Sequence, residues 1–150
     1  IFVIDDRILV ILDEVKCGNP FVADSFLHFH PDVQLKREEA GFVTSNGKEA
    51  MLYVQTFGSG GFEMEVIEGK YSPEFGVMEN SPVLKLSAKV DRLSLPVVFG
   101  YVMSEYRVPL KFTMHVSKKI YELELGAAKL CVPMGEHAEY QWEKSKTKEV

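Results

Sequence analysis

Cysteine is almost absent from this sequence: 150 residues hold only Cys17 and Cys131, with no CxxC and no Cys/His pair at zinc-finger spacing. That excludes a disulfide framework read from spacing, and two buried free thiols are expected. Excess positive charge is missing too, since 17 Lys and Arg against 22 Asp and Glu give a net charge of -5 and a pI near 5.4. A phosphate-tracking protein carries a basic stripe and a high pI, so no nucleic-acid partner is expected. No apolar run approaches the roughly 18 residues of a membrane span. Asp5, Asp6, Arg7, Asp13 and Glu14 break up the N-terminal one, and no membrane partner is expected. The first residues have neither a basic n-region nor a cleavage site, so they are not a signal peptide, and the chain reads as cut from something longer. The compartment stays open, with secreted or periplasmic weakly preferred to cytoplasmic.

Helical periodicity is the most telling absence. Nowhere do apolar residues keep a 3.6-residue spacing over a dozen positions. Short strand-like runs recur about every ten residues instead. Phe2 to Ile4 and Ile8 to Leu12 flank the polar Asp5-Asp6-Arg7, Gly18-Asn19-Pro20 marks a turn, and residues 33–37 alternate apolar with polar. Asn46-Gly47 between Phe42-Val43-Thr44 and Met51-Leu52-Tyr53-Val54 is the strongest hairpin signal a sequence offers. The glycines of Gly58-Ser59-Gly60-Gly61 lack the Gly-Lys-Ser/Thr ending of a phosphate loop and mean a turn. Alternation returns over residues 62–67 and 83–90, and further strands are expected at 95–103, 110–116, 120–125 and 129–132. The expectation is all-β: a single domain over residues 1–150, an antiparallel β-sandwich of supersandwich type with nearly no helix, a barrel being the lesser alternative. The polar end, 143–150, reads as a solvated tail or a further strand.

The chemistry-bearing stretch is 25–33, S-F-L-H-F-H-P-D-V, which holds two of the four histidines. Strand geometry puts Phe26, His28 and His30 on one face and Leu27 and Phe29 on the other, and Pro31 ends the strand or confines it to an edge. Two imidazoles with Asp32 at a strand end can bind a metal, move a proton or hold a sugar hydroxyl. A metal would need His115 or His137 as a third ligand, so none is expected, and ordinary sheet-face histidines remain the simplest account of the pair. Tyr71 and Glu74 are a possible proton donor and acceptor or a sugar contact. In the competing account Pro73 fixes a turn, Phe75 plugs the core and Gly76 permits the following backbone. Trp142, the only tryptophan, reads as a cap over the core before it reads as a sugar platform, and Lys118 and Lys119 read as a solvated turn.

Residues 69–77, G-K-Y-S-P-E-F-G-V, followed by Pro82-Val83-Leu84, resemble the C-terminal β-sandwich region of the heparinase II/III-like polysaccharide lyases. A V-I-D strand ahead, the histidine strand ending in H-P-D-V, and Leu95-Pro96-Val97-Val98 after Ser94 come in the same order, so the likeness spans about residues 1–105. The resemblance implies a β-sandwich that supports the cleft of a missing N-terminal α/α domain. The whole enzyme would act on acidic, uronic-acid polysaccharides or oligosaccharides such as glycosaminoglycans by β-elimination. It implies no catalytic residue within this chain, no cofactor, and an isolated fragment without activity. His28, His30, Tyr71 and Glu74 are then candidates for substrate binding or for the domain interface. The alternative is a free-standing carbohydrate-binding β-sandwich without catalysis, and a third reading is a purely structural sandwich.

Overall fold

The computed structural model describes residues 1–4, 7–39, 41–90, 95–135 and 141–144, with side chains for all of these except 141–144. The chain is all-β and antiparallel, and the one helical element among the described residues is a 3-10 turn at Val116–Lys118. Its contacts fall into two compact units, Ile1–Tyr106 and Arg107–Val150. A single domain was the expectation from the sequence. Among the described strands, the four of the second unit hydrogen-bond only with one another, which is why contacts thin out at the boundary.

The first unit contains β1 (Phe2–Ile4), β2 (Ile8–Val15), β3 (Phe21–His28), β4 (Gln34–Glu38), β5 (Gly41–Ser45), β6 (Ala50–Gly58), β7 (Glu63–Tyr71), β8 (Glu79–Val90) and β9 (Val97–Ser104). These make a six-stranded sheet, in the order β1-β2-β9-β6-β5-β4, and a three-stranded sheet, β3-β8-β7. The alternating sequence of β8 decides how they pack. Leu84, Leu86, Ala88 and Val90 fall on one side of the strand and enter a buried cluster with Ala23 of β3, Phe42 of β5, Val54 of β6, and Val97, Phe99 and Tyr101 of β9. Both sheets thus give their inner faces to one core, the arrangement of a sandwich. Leu84 and Leu86 are fully buried, each contributing about 1.5–3 kcal/mol through the water-accessible surface it removes. The two layers also share a polar stitch, where the Tyr101 hydroxyl donates to Ser25 Oγ at 3.0 Å.

The Asn46-Gly47 signal does mark a hairpin between β5 and β6. Its loop has four residues because Ser45 pairs with Ala50. Asn46 Oδ1 accepts the amides of Lys48 and Glu49, both at 3.1 Å, and Gly47 takes the positive φ of 85° that the turn requires. Asp5 and Asp6 of the first turn lie outside the described residues, but Ile4 faces Ile8 across it.

The second unit is a meander, β10 (Leu110–His115), β11 (Ile120–Leu125), β12 (Ala128–Pro133) and β13 (Gln141–Lys144). Val108, Tyr121, Leu123, Leu125 and Leu130 are its buried apolar side chains among the described residues, and Phe112 stacks on Tyr121 with centroids 6.1 Å apart. The alternate positions carry charge, with Lys111 at 2.8 Å from Glu124 and Lys129 at 3.1 Å from Glu122. Neither cysteine is in a disulfide, but Cys17 is exposed in the turn after β2 rather than buried, and Cys131 is half-buried. The Trp142 side chain, residues 145–150 and His137 fall outside what is described.

Candidate functional site

The outer face of the three-stranded sheet collects the residues that the sequence singles out. Val22, Asp24, Phe26 and His28 of β3 point outward and are exposed. His28 closes β3 opposite Val83. Gly69 of β7 makes room there: a Cβ on it would strike Val83 Cγ2 and come to 3.7 Å from His28 Cε1. The imidazole therefore leans across the sheet toward β7.

His30 lies beyond the end of β3, where the Phe29 amide still donates to the Pro82 carbonyl at 3.0 Å and Val33 N–H turns back to His30 O at 2.9 Å. The strand ends earlier than residue 30, as Pro31 would require. His30 Nδ1 accepts the Asp32 amide at 3.3 Å, with Asp32 Oδ2 at 3.5 Å from the same atom. An amide accepted at Nδ1 requires the tautomer with its proton on Nε2, whereas Asp32 Oδ2 beside the same atom favours a proton on Nδ1. The ring meets Tyr71 edge-on, with centroids 5.1 Å apart and planes at 63°. So the H-P-D-V strand end and the start of Y-S-P-E-F-G, separated by about forty residues of chain, form one rim.

Ser81 is a member of this region that the sequence reading missed. It pairs with Gly69 in register, two positions along β8 from Val83, which faces His28, and is only 3% exposed. Its hydroxyl has no hydrogen-bond partner, a costly state for a buried donor. A serine between Asn80 and Pro82 gives no sequence signal that sets it apart from an ordinary turn.

The loop between β7 and β8 is firmly built. Ser72 Oγ lies 2.9 Å from the carbonyl oxygens of both Glu74 and Val77, Val77 N–H donates to Glu74 O at 3.2 Å, and Gly76 takes a φ of 82°. Pro73 and Gly76 play the turn roles their types suggest. Phe75 does not plug the core. At 106% relative exposure it stands wholly in solvent at the loop tip, with Met78 beside it at 69%. The reason is geometric, because the Ser72 hydrogen bonds and the positive φ of Gly76 close the turn on its polar backbone and leave the Phe75 side chain pointing out. Glu74 contributes its carbonyl to this turn, and its carboxylate is exposed.

Among the described residues no three His, Cys, Asp or Glu side chains gather in a way that could hold a metal ion. His115 belongs to the second unit, beside Glu122 at 3.7 Å. Lys118 and Lys119 form the exposed turn expected of them. The His30 Nε2–H and the Tyr71 hydroxyl can both donate to a hydroxyl or carboxylate oxygen, and the Tyr71 oxygen can accept from a hydroxyl, a binding chemistry that does not by itself break a bond. Compared with protein-family models, with curated proteins and with solved structures, the chain matches none of them.

Proposed function

We propose that this chain is the C-terminal β-sandwich region of a heparinase II/III-like lyase, supporting the cleft of an α/α domain that carries the elimination chemistry on uronic-acid polysaccharides or oligosaccharides. The observation that carries this reading is the Y-S-P-E-F-G loop. It is the most specific part of the resemblance, and a loop held by Ser72 and Gly76 presents Phe75 bare to solvent beside the His30–Tyr71 rim. An aromatic side chain presented to solvent at a loop tip suits a docking element, because desolvating it against a partner contributes about 1.5–3 kcal/mol. In this reading Phe75 and Met78 pack against the α/α domain, while His28, His30 and Tyr71 border the cleft without abstracting the proton.

The test is release of unsaturated uronic product, followed by its ultraviolet absorbance, from heparan sulfate, chondroitin, hyaluronan and alginate. The 150-residue chain is expected to release none, and the longer gene product to release it steadily. Neutralising the carboxylate, taking the C5 proton and protonating the leaving oxygen each contribute roughly 10²- to 10⁴-fold, so losing the half that supplies them abolishes turnover. Steady release by the chain alone, lost in Tyr71→Phe or His30→Ala, would overturn the proposal and make the rim an active site.

A second reading, a carbohydrate-binding module without catalysis, draws on Phe26, which is 49% exposed on the same sheet face as His28. Saturable binding of an acidic oligosaccharide by the isolated chain, with no activity in any longer product, would favour it.

A further inference from the structure

At the far end of the same outer face from the His30–Tyr71 rim, a half-open groove of about 500 Å³ runs between β3, β8 and the turn that leads into β7. Its size falls in the range of small-ligand sites, roughly 300–1,000 Å³. Val22 and Phe62 supply its apolar surface. Phe62 is anchored against the core cluster and lies under Gly58, so this wall does not swing away.

The polar side of the groove is a connected set. Ser87 donates to Asp24 Oδ1 at 2.6 Å, and the Lys85 ammonium lies 3.7 Å from Asp24 Oδ2 and 3.2 Å from Glu65. Lys85 is held above the ordinary lysine value of 10.5, chiefly by its hydrogen bond to Glu65, and stays charged at neutral pH. An ammonium has three donors and a carboxylate about four acceptor positions. Asp24 and Lys85 therefore keep unused hydrogen-bonding capacity side by side, one accepting and one donating. Asp24 and Glu63 on the lining offset Lys85 and Lys89, and Glu65 beside Lys85 leaves one negative charge in excess. A polyanion gains nothing from such a lining.

We propose that this groove binds a neutral pyranose unit, with Asp24 and Lys85 taking a pair of vicinal ring hydroxyls and the C–H face of the sugar lying on Val22 and Phe62. A vicinal diol needs one acceptor and one donor at neighbouring positions above an apolar surface, and this is the juxtaposition present. The site does not depend on the lyase reading, because its residues lie outside the His30–Tyr71 rim and outside the Y-S-P-E-F-G loop.

The experiment is a titration of the isotopically labelled chain with the methyl pyranosides of glucose, mannose, galactose and xylose, and with methyl glucuronide, read by amide chemical-shift changes. Saturable shifts centred on residues 22–24, 61–63 and 85–89 are expected for at least one neutral glycoside. Asp24→Asn and, independently, Ser87→Ala are expected to weaken that binding, Asp24→Asn by roughly tenfold or more. Either variant suffices if the other fails to fold, as checked by circular dichroism. His30→Ala should leave it unchanged. No saturable shift with any neutral glycoside would overturn the proposal. So would tighter, salt-sensitive binding of the glucuronide in the groove, which would make it an anion site, or equal loss in His30→Ala.

Discussion

The two faces of the three-stranded sheet are made by the same strands and do opposite work. On β8, Leu84 and Leu86 are fully buried against the six-stranded sheet, while Lys85, between them, turns outward to Asp24 and Glu65. One face owes its character to area removed from water, and the other to polar groups left in reach of water. A one-residue slip of register would exchange them. The contrast teaches that stability and recognition can be probed separately here, position by position along a single strand.

The largest expected effect comes from the inner face. Leu86→Ala should cost about 2–5 kcal/mol through lost transfer energy and the cavity left behind, whereas Val22→Ala on the outer face should stay within about 0.5 kcal/mol. Urea midpoints measure both, and similar costs at the two sites would break the comparison.

An intermediate effect appears at alkaline pH. Burial first of all pushes the Tyr101 hydroxyl above its usual 10.0, with the Ser25 hydrogen bond acting the other way. A raised folded value means that its contribution is complete below 10.0 and is lost as pH rises through the folded value. Lys85, raised above 10.5, acts in the same direction, with its contribution complete below that value and lost above it. Stability should therefore fall on the alkaline side, and Tyr101→Phe should flatten part of that fall. An alkaline slope identical in wild type and Tyr101→Phe would show that the buried hydroxyl is not its source.

The smallest effect lies in the second unit. Its hydrogen bond to Lys129 is the main cause that holds Glu122 below the ordinary 4.5. A depressed folded value gives stability that is present above 4.5 and is lost as pH falls through the folded value. Glu122→Gln should remove a shallow acid-side slope in thermal midpoints, and a slope that persists would assign it to other carboxylates.

Much of the sandwich was legible because its signals are local. The alternation over residues 83–90 and the Asn46-Gly47 turn each follow from a few neighbouring side chains, and both are found as read. The pairing of His30 with Tyr71 was half legible. Alternation gives the face, but only the β3-β8-β7 order brings the two segments together. Phe75, Ser81 and Cys17 were not legible at all. Whether an aromatic at a turn points inward depends on which side of the turn the backbone closes, and whether a serine is orphaned depends on what the neighbouring strands place over it. The division near Tyr106 was equally hidden, since the strands before and after it carry similar patterns.

The central claim is that the Y-S-P-E-F-G loop is a docking element for an α/α domain, and Phe75 tests it most directly. In the two-domain lyase that the proposal calls for, Phe75→Ser should lower the elimination rate roughly tenfold or more, as expected when about 1.5–3 kcal/mol of apolar contact is lost at an interface. Met51→Ser, at another exposed apolar side chain of the first unit, should leave the rate unchanged. A Phe75→Ser enzyme with the wild-type rate would contradict the account.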